Sequence, residues 1–86
     1  MSDFFAVITG AGSGIGRGIA RALAAKNIPV VVADINHEAA LATCDLLNTT
    51  SKLGIAVRCD VTVRAELINA IEQGRPNFPT SLTLPG

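Results

Sequence analysis

Unbroken apolar runs alternate along this chain with stretches in which apolar residues return every three or four positions. Phe4, Phe5, Ala6, Val7, Ile8 and Thr9 make the first run, the pattern of a strand covered on both faces. After a glycine-rich interruption over residues 10–14, Ile15, Ile19, Leu23 and Ala24 recur at helical spacing, while Arg17, Arg21 and Lys26 fall on other faces. Asn27-Ile28-Pro29 closes this helix, because proline disfavours helical geometry in the residue before it. Val30-Val31-Val32-Ala33-Asp34 reads as a second buried strand. Asn36 can cap the next helix, with Glu38 in its first turn and Ala40, Cys44 and Leu47 as its inward stripe. Gly54 opens a third strand that runs to Cys59, and Thr62 can cap a third helix whose stripe is Val63, Leu67, Ala70 and Ile71.

Strand and helix repeated three times predict a parallel sheet with right-handed crossovers. The expected fold class is α/β: the first half (β-α-β-α-β-α) of a three-layer, doubly wound parallel sheet, with spatial order 3-2-1. The pattern stops after Gln73. Residues 74–86 contain Pro76, Pro79 and Pro85 and hold no sustained period. A fourth strand is due near here, but each proline removes a ladder donor and argues against a central one. The expectation is a partial domain over residues 1–73 and an irregular, divergent tail over 74–86.

Composition narrows the function. Hydrophobic residues make up 49% of the 86 and charged residues 16%, so the chain is built to be buried, near the lower size at which one core sustains itself. Seven Lys and Arg balance seven Asp and Glu, and the basic residues are scattered. That excludes the concentrated positive charge of nucleic-acid or anionic-membrane binding. No run approaches the roughly 20 apolar residues of a membrane span, and the apolar start is too short for a signal segment. Cys44 and Cys59 stand at no metal-ligand spacing and make no disulfide framework. Two buried free thiols fit a reducing compartment, so a cytoplasmic location is expected.

Between the first strand and the first helix, Gly10, Gly14 and Gly16 give the spacing Gly-x-x-x-Gly-x-Gly. The spacing Gly-x-Gly-x-x-Gly does not fit, because counted from Gly12 and Gly14 its third place is Arg17. Glycine at a strand-to-helix turn permits positive φ and brings backbone amides against a pyrophosphate with no Cβ between. Free amides over residues 13–16 and the positive end of the helix dipole favour an anion there. Gly16 and Ala20 are small enough to let the helix sit close to the sheet. A glycine turn alone could serve only to reverse the chain. Its place after the first strand, with an acid ending the second, favours a nucleotide.

The run Thr9-Gly10-Ala11-Gly12-Ser13-Gly14-Ile15-Gly16 also resembles the Thr-Gly-x-x-x-Gly-Ile-Gly signature of the short-chain dehydrogenase/reductase family, whose fold is Rossmann-like. Asp34 ending the second strand and Asp60-Val61-Thr62 after the third extend the resemblance over residues 4–73. It implies a nicotinamide dinucleotide with Ser13 and Ile15 at the phosphates, Asp34 at the adenosine ribose, and Asp60 with Val61 at the adenine. Gly10, Gly14, Gly16 and Ile35 complete the expected cofactor contacts. Read alone, Asp60 fits an Asx turn or a helix N-terminal charge equally well, with Cys59 packed beside it.

Asp34 lies 18 residues beyond Gly16, near the roughly 20 of a ribose-binding acid. An ionised carboxylate only accepts hydrogen bonds, which suits the ribose hydroxyls. It would repel a 2′-phosphate, and neither Ile35, Asn36 nor Ser13 offers a cation in compensation. NAD(H) is therefore expected over NADP(H). The competing reading of Asp34 is a turn residue before Asn36, and Arg17 can reach either the pyrophosphate or solvent.

By the same resemblance, catalysis would use a Tyr as general acid/base, a Lys that lowers its pKa, a Ser at the substrate carbonyl and an Asn in a proton relay. The chain has no tyrosine. Lys26 and Lys52 read as belonging to the first two helices, Asn69-Ala70 to the third, and His37 to a solvated first turn, so no catalytic residue is assigned. The expected protein is an N-terminal fragment or truncated form of an NAD-dependent dehydrogenase that interconverts alcohols and carbonyls, able at most to bind the dinucleotide. Two readings compete with it. One is a non-catalytic module that pairs through an open first-strand edge and an uncovered apolar face with its own copies or with full-length dehydrogenase subunits; the other is an unstable product without function. Segments that would contact substrate lie, on this resemblance, beyond residue 86.

Overall fold

The computed structural model describes residues 5–49, 53–74 and 81–85, the last five by their backbone. Phe4, Lys52, Pro76, Phe78 and Pro79 lie outside the described residues. Along the chain come β1 (Phe5–Thr9), α1 (Gly14–Ala25), β2 (Val30–Asp34), α2 (His37–Leu47), β3 (Gly54–Arg58), α3 (Arg64–Gly74) and β4 (Ser81–Pro85).

Each β-branched run is a strand because it is covered on both faces. Ala6, Ile8, Val30 and Val32 pack with Ala20 and Ala24 of α1 and Ala40, Cys44 and Leu47 of α2. On the other face, Phe5, Val7, Val31 and Ala33 meet Ala70 of α3, with Leu67 and Ile71 alongside. Successive residues of a strand point to opposite faces, so two short apolar runs feed both layers at once. The result is the expected three-layer α/β arrangement, helices on either side of an open parallel sheet.

The sheet order is β3-β2-β1-β4, with every neighbouring pair parallel. Over residues 81–85 this corrects the reading of an irregular tail. Ser81 pairs with Phe5, and the register runs on to Pro85 opposite Thr9. Proline is admitted on outer strands and at strand ends, and Pro85 occupies both positions at once. The third helix runs one residue past Gln73. Gly74 is the last residue of α3 and is buried, because a Cβ there would stand 2.5 Å from Cζ of Phe5. With β4 in place β1 is not an edge, and the direction of winding reverses between β1 and β4.

Helix ends follow local chemistry, with two departures from expectation. Asn36 caps α2 as expected, its Oδ1 accepting from the Ala39 amide. α1 ends through a left-handed Asn27 at φ 61°. The Ile28 amide returns to the Leu23 carbonyl and that of Asn27 to Ala24, so a Schellman turn, and not Pro29 alone, stops the helix; Lys26 lies at its C-cap. Thr62 does not cap α3. Its amide and its hydroxyl both donate to Asp60 Oδ1, and Val63, whose carbonyl accepts from Glu66 and Leu67, stands before the first helical residue. Val63 is accordingly exposed and not part of the inward stripe.

Candidate functional site

The site lies at the C-terminal ends of β1, β2 and β3, beside the point where the winding reverses; open α/β sheets bind ligands at such points. The loop after β1 begins with Gly10 at φ 66°, and α1 begins with Gly14 at φ 60°, left-handed values that glycine takes without a Cβ penalty. The Ala11 amide donates to the Ala33 carbonyl, which folds the loop back over β2. The first i→i−4 bond of α1 runs from the Arg17 amide to the Ser13 carbonyl, so the amides of Gly14, Ile15 and Gly16 precede the helical ladder. Ser13 makes no side-chain cap, and the space a Cβ of Gly14 would enter is empty. A Cβ on Gly16 would run into the carbonyl of Gly10 and stand 2.8 Å from its carbon, so the start of α1 sits directly on the loop.

Asp34 closes the other side. Its Oδ2 accepts from the Gly12 amide at 2.8 Å and its Oδ1 from the Asn36 amide at 2.9 Å. The turn-residue reading is thus present in the Asn36 contact, but the carboxylate also spans to the glycine loop. Two backbone donors fix its plane and leave a lone pair on each oxygen. Below it, a cavity of about 170 Å³ is lined by Gly10, Asp34, Ile35, Cys59, Asp60 and Val61. Five of the expected cofactor residues therefore come together around one space, with Ser13, Gly14, Ile15 and Gly16 at the helix start above it. Ile15, Ile35 and Val61 are exposed to 80%, 57% and 54%, apolar surface with no covering among the described residues.

Asp60 enters the cavity wall from the turn after β3. The Thr62 hydroxyl and then the Thr62 amide, both donating to Oδ1, hold its carboxyl below the usual carboxylate range, with Arg58 adding to the effect. The Asp60 amide donates to Glu66 Oε1, which also pairs with Arg58 at 3.2 Å. The Asx turn is therefore real, and it leaves Asp60 Oδ2 open. Cys59 is buried, and its amide donates to the Asp34 carbonyl. Burial, with the charges of Glu66 and Asp60, pushes its thiol up.

Three participants escaped sequence reasoning. Gly12 supplies the amide that orients Asp34, and a Cβ there would lie 2.7 Å from both Asp34 Oδ2 and the Ala39 methyl. Thr43 is a hydroxyl on the buried stripe of α2, and Arg17 reaches it. A polar residue at an inward helical position was the available signal. Glu66 folds back onto Asp60, visible in sequence only as an acid in a first turn. Among the described residues no group of His, Cys, Asp and Glu could hold a metal, and no helix is long and apolar enough to cross a membrane.

An open parallel sheet with a glycine loop at the first helix and an acid ending the second strand defines the Rossmann-like class. Within it, the family model for short chain dehydrogenases matches residues 5–81, and the chain belongs to that family. It is 45% identical over 62 residues to a 7alpha-hydroxysteroid dehydrogenase of Escherichia coli strain K12, covering 72% of this chain and 24% of that one. It is 37% identical over 70 residues to an L-2,3-butanediol dehydrogenase of Corynebacterium glutamicum, covering 79% and 27%. The solved structure of a hydroxysteroid dehydrogenase from Escherichia coli superposes with a TM-score of 0.79 at 32% identity, over 92% of this chain and 35% of that one. A 3-ketoacyl-(acyl-carrier-protein) reductase from Brucella melitensis, complexed with NADH, superposes at 0.78 and 31% identity, over 86% and 29%. The chain spans about a quarter of the length of the curated relatives it matches.

Proposed function

We propose that this chain binds the adenosine end of NAD(H), as the nucleotide-binding part of a cytoplasmic dehydrogenase that interconverts alcohols and carbonyls. The observation that carries the reading is the Asp34 carboxylate, held by two backbone amides at the rim of the cavity with a lone pair free on each oxygen. The ribose hydroxyls donate to those lone pairs. Ile35 and Val61 would flank the adenine, and Asp60 Oδ2 would accept from its amino group. The pyrophosphate meets the amides of Gly14, Ile15 and Gly16 and the Ser13 hydroxyl. Bound nicotinamide supplies hydride acceptance and donation; the residues here hold and orient the other end of the molecule. An ordered Asp34 cannot turn away from a 2′-phosphate, which supports NAD(H) over NADP(H). Calorimetric titration of both cofactors tests this. The unmutated chain should prefer NAD(H), and Asp34→Ala should narrow the gap, since it removes a hydroxyl acceptor and a repulsive charge, each on the order of 1–3 kcal/mol. Equal affinities in the unmutated chain refute the preference.

The 86 residues contain no tyrosine, so they are expected to show no turnover of any alcohol or ketone with either cofactor, followed by NADH absorbance. The reading as a pairing module rested on an open edge at β1 and an uncovered apolar face; β4 lies along that edge, while Ile15, Ile35 and Val61 are exposed. Pairing with its own copies or with full-length subunits would use the apolar face.

A further inference from the structure

Arg17 has two alternatives open to it in sequence, the pyrophosphate or solvent; in the structure two of its nitrogens are engaged by the protein itself. Its Nε donates to Thr43 Oγ1 at 2.8 Å, and its Nη2 donates to the Gly12 carbonyl at 2.6 Å. The guanidinium is planar, so two bonds to different elements fix its orientation as well as its position. Thr43 is fully buried, the one buried polar side chain among the described residues, and Arg17 occupies its hydroxyl. Gly12 is held at its carbonyl by Arg17 and at its amide by Asp34, and a Cβ on it would stand 2.7 Å from the Ala39 methyl. A continuous path therefore runs from α2 through Thr43, Arg17 and Gly12 to the Asp34 carboxylate.

We infer that Arg17 is a positioning residue of the nucleotide site: anchored by Thr43, it holds the Gly12 peptide so that the Gly12 amide fixes the Asp34 carboxylate for the ribose. The inference rests on the adenosine reading above and adds to it where the specificity of Asp34 is set. Without the clip, the Gly12 peptide loses the bond to its carbonyl, its amide holds Asp34 less firmly, and the Asn36 amide is left as the steady donor to that carboxylate. The positive charge of Arg17 thus acts on the loop's own carbonyl and not on the cofactor phosphates.

Adenosine and NAD are the discriminating pair, because adenosine presents the ribose hydroxyls with no phosphate. Both are titrated by protein amide shifts into the unmutated chain and into Arg17→Met, Arg17→Lys, Thr43→Val and Thr43→Ser. Arg17→Met and Thr43→Val should each weaken adenosine and NAD by the same factor, about tenfold, the scale of one charge-assisted hydrogen bond. The double variant should lose no more than either single, because both cut one path. Thr43→Ser should bind as the unmutated chain does, and hydrogen exchange at the Gly12 amide should rise in the weakened variants alone. Loss of NAD affinity with adenosine unchanged would overturn the inference in favour of a direct phosphate contact. Unchanged affinity for both ligands would reduce the clip to a structural one and equally overturn it. Should Arg17→Met fail to fold, Arg17→Lys and Thr43→Val decide through Gly12 exchange. An unmutated chain that binds neither ligand refutes the adenosine reading itself.

Discussion

Cys44 shows how burial sets the chemistry of a single residue. It lies on the inward stripe of α2, 6% exposed, and burial, helped by Asp45, pushes its thiol up to about 11. A raised thiol holds its proton in the folded chain after the unfolded chain has lost it. Stability is therefore fully present below about pH 9 and falls as the pH rises toward 11. Chemical denaturation across this range should show the fall, and Cys44→Ser, which does not titrate there, should lessen it, with Cys59 contributing the remainder. Residues whose roles depend on their own chain neighbours were legible in sequence: Asn36 caps α2 because its acceptor is three residues from the amide it serves. Arg17 was not, since the hydroxyl that fixes it is 26 residues away and only the packing of α1 against α2 brings the two together.

Elements were legible where a run of one period was long enough to outweigh its ends. β2, β3 and α2 lie where the alternation of buried runs and inward stripes put them, while the ends were settled by contacts the pattern does not encode. Thr62 gave its hydroxyl to Asp60 in place of an amide of α3, a competition that short polar side chains often decide against the helix. The link from α2 to β3 is tied by Asn48, at the C-cap of α2. Its Oδ1 accepts from the amides of Leu53 and Gly54, and its Nδ2 donates to the Gly54 carbonyl. Asn48→Ala removes all three bonds and should cost about 1–3 kcal/mol in urea denaturation. Asn48→Asp keeps the acceptor for both amides and loses only the donor, so its loss should be smaller.

At the scale of the whole molecule, β4 is the element that sequence reasoning denied and the sheet requires. The objection from proline holds for a strand flanked on both sides, and β4 is flanked on one among the described residues. A chain ending at Gly74 tests its weight. The Ala6 amide donates to Pro29 beside β2, and strand alternation turns the amides of Val7 and Thr9 toward β4. Removing β4 should therefore speed hydrogen exchange at Val7 and Thr9 while Ala6 and Ile8 keep their protection. It should also promote association at micromolar concentration, read by light scattering, as an exposed strand edge does. Equal protection of all four amides in the shortened chain would show that β1 does not depend on its outer neighbour.

The position of β4 also bears on synthesis. The cavity is lined by residues no later than Val61, whereas the partner of β1 ends at Pro85. A ribosome releases the residues that line the cavity first and the strand that covers β1 later. At about 5–20 residues per second, the residues between take roughly 1–5 s to emerge. During that interval the nascent chain presents a nearly complete pocket beside an unguarded strand. A ligand that fills the cavity early can steady it, but only the late strand, or a chaperone standing in for it, shields the nascent chain from its neighbours on the same message.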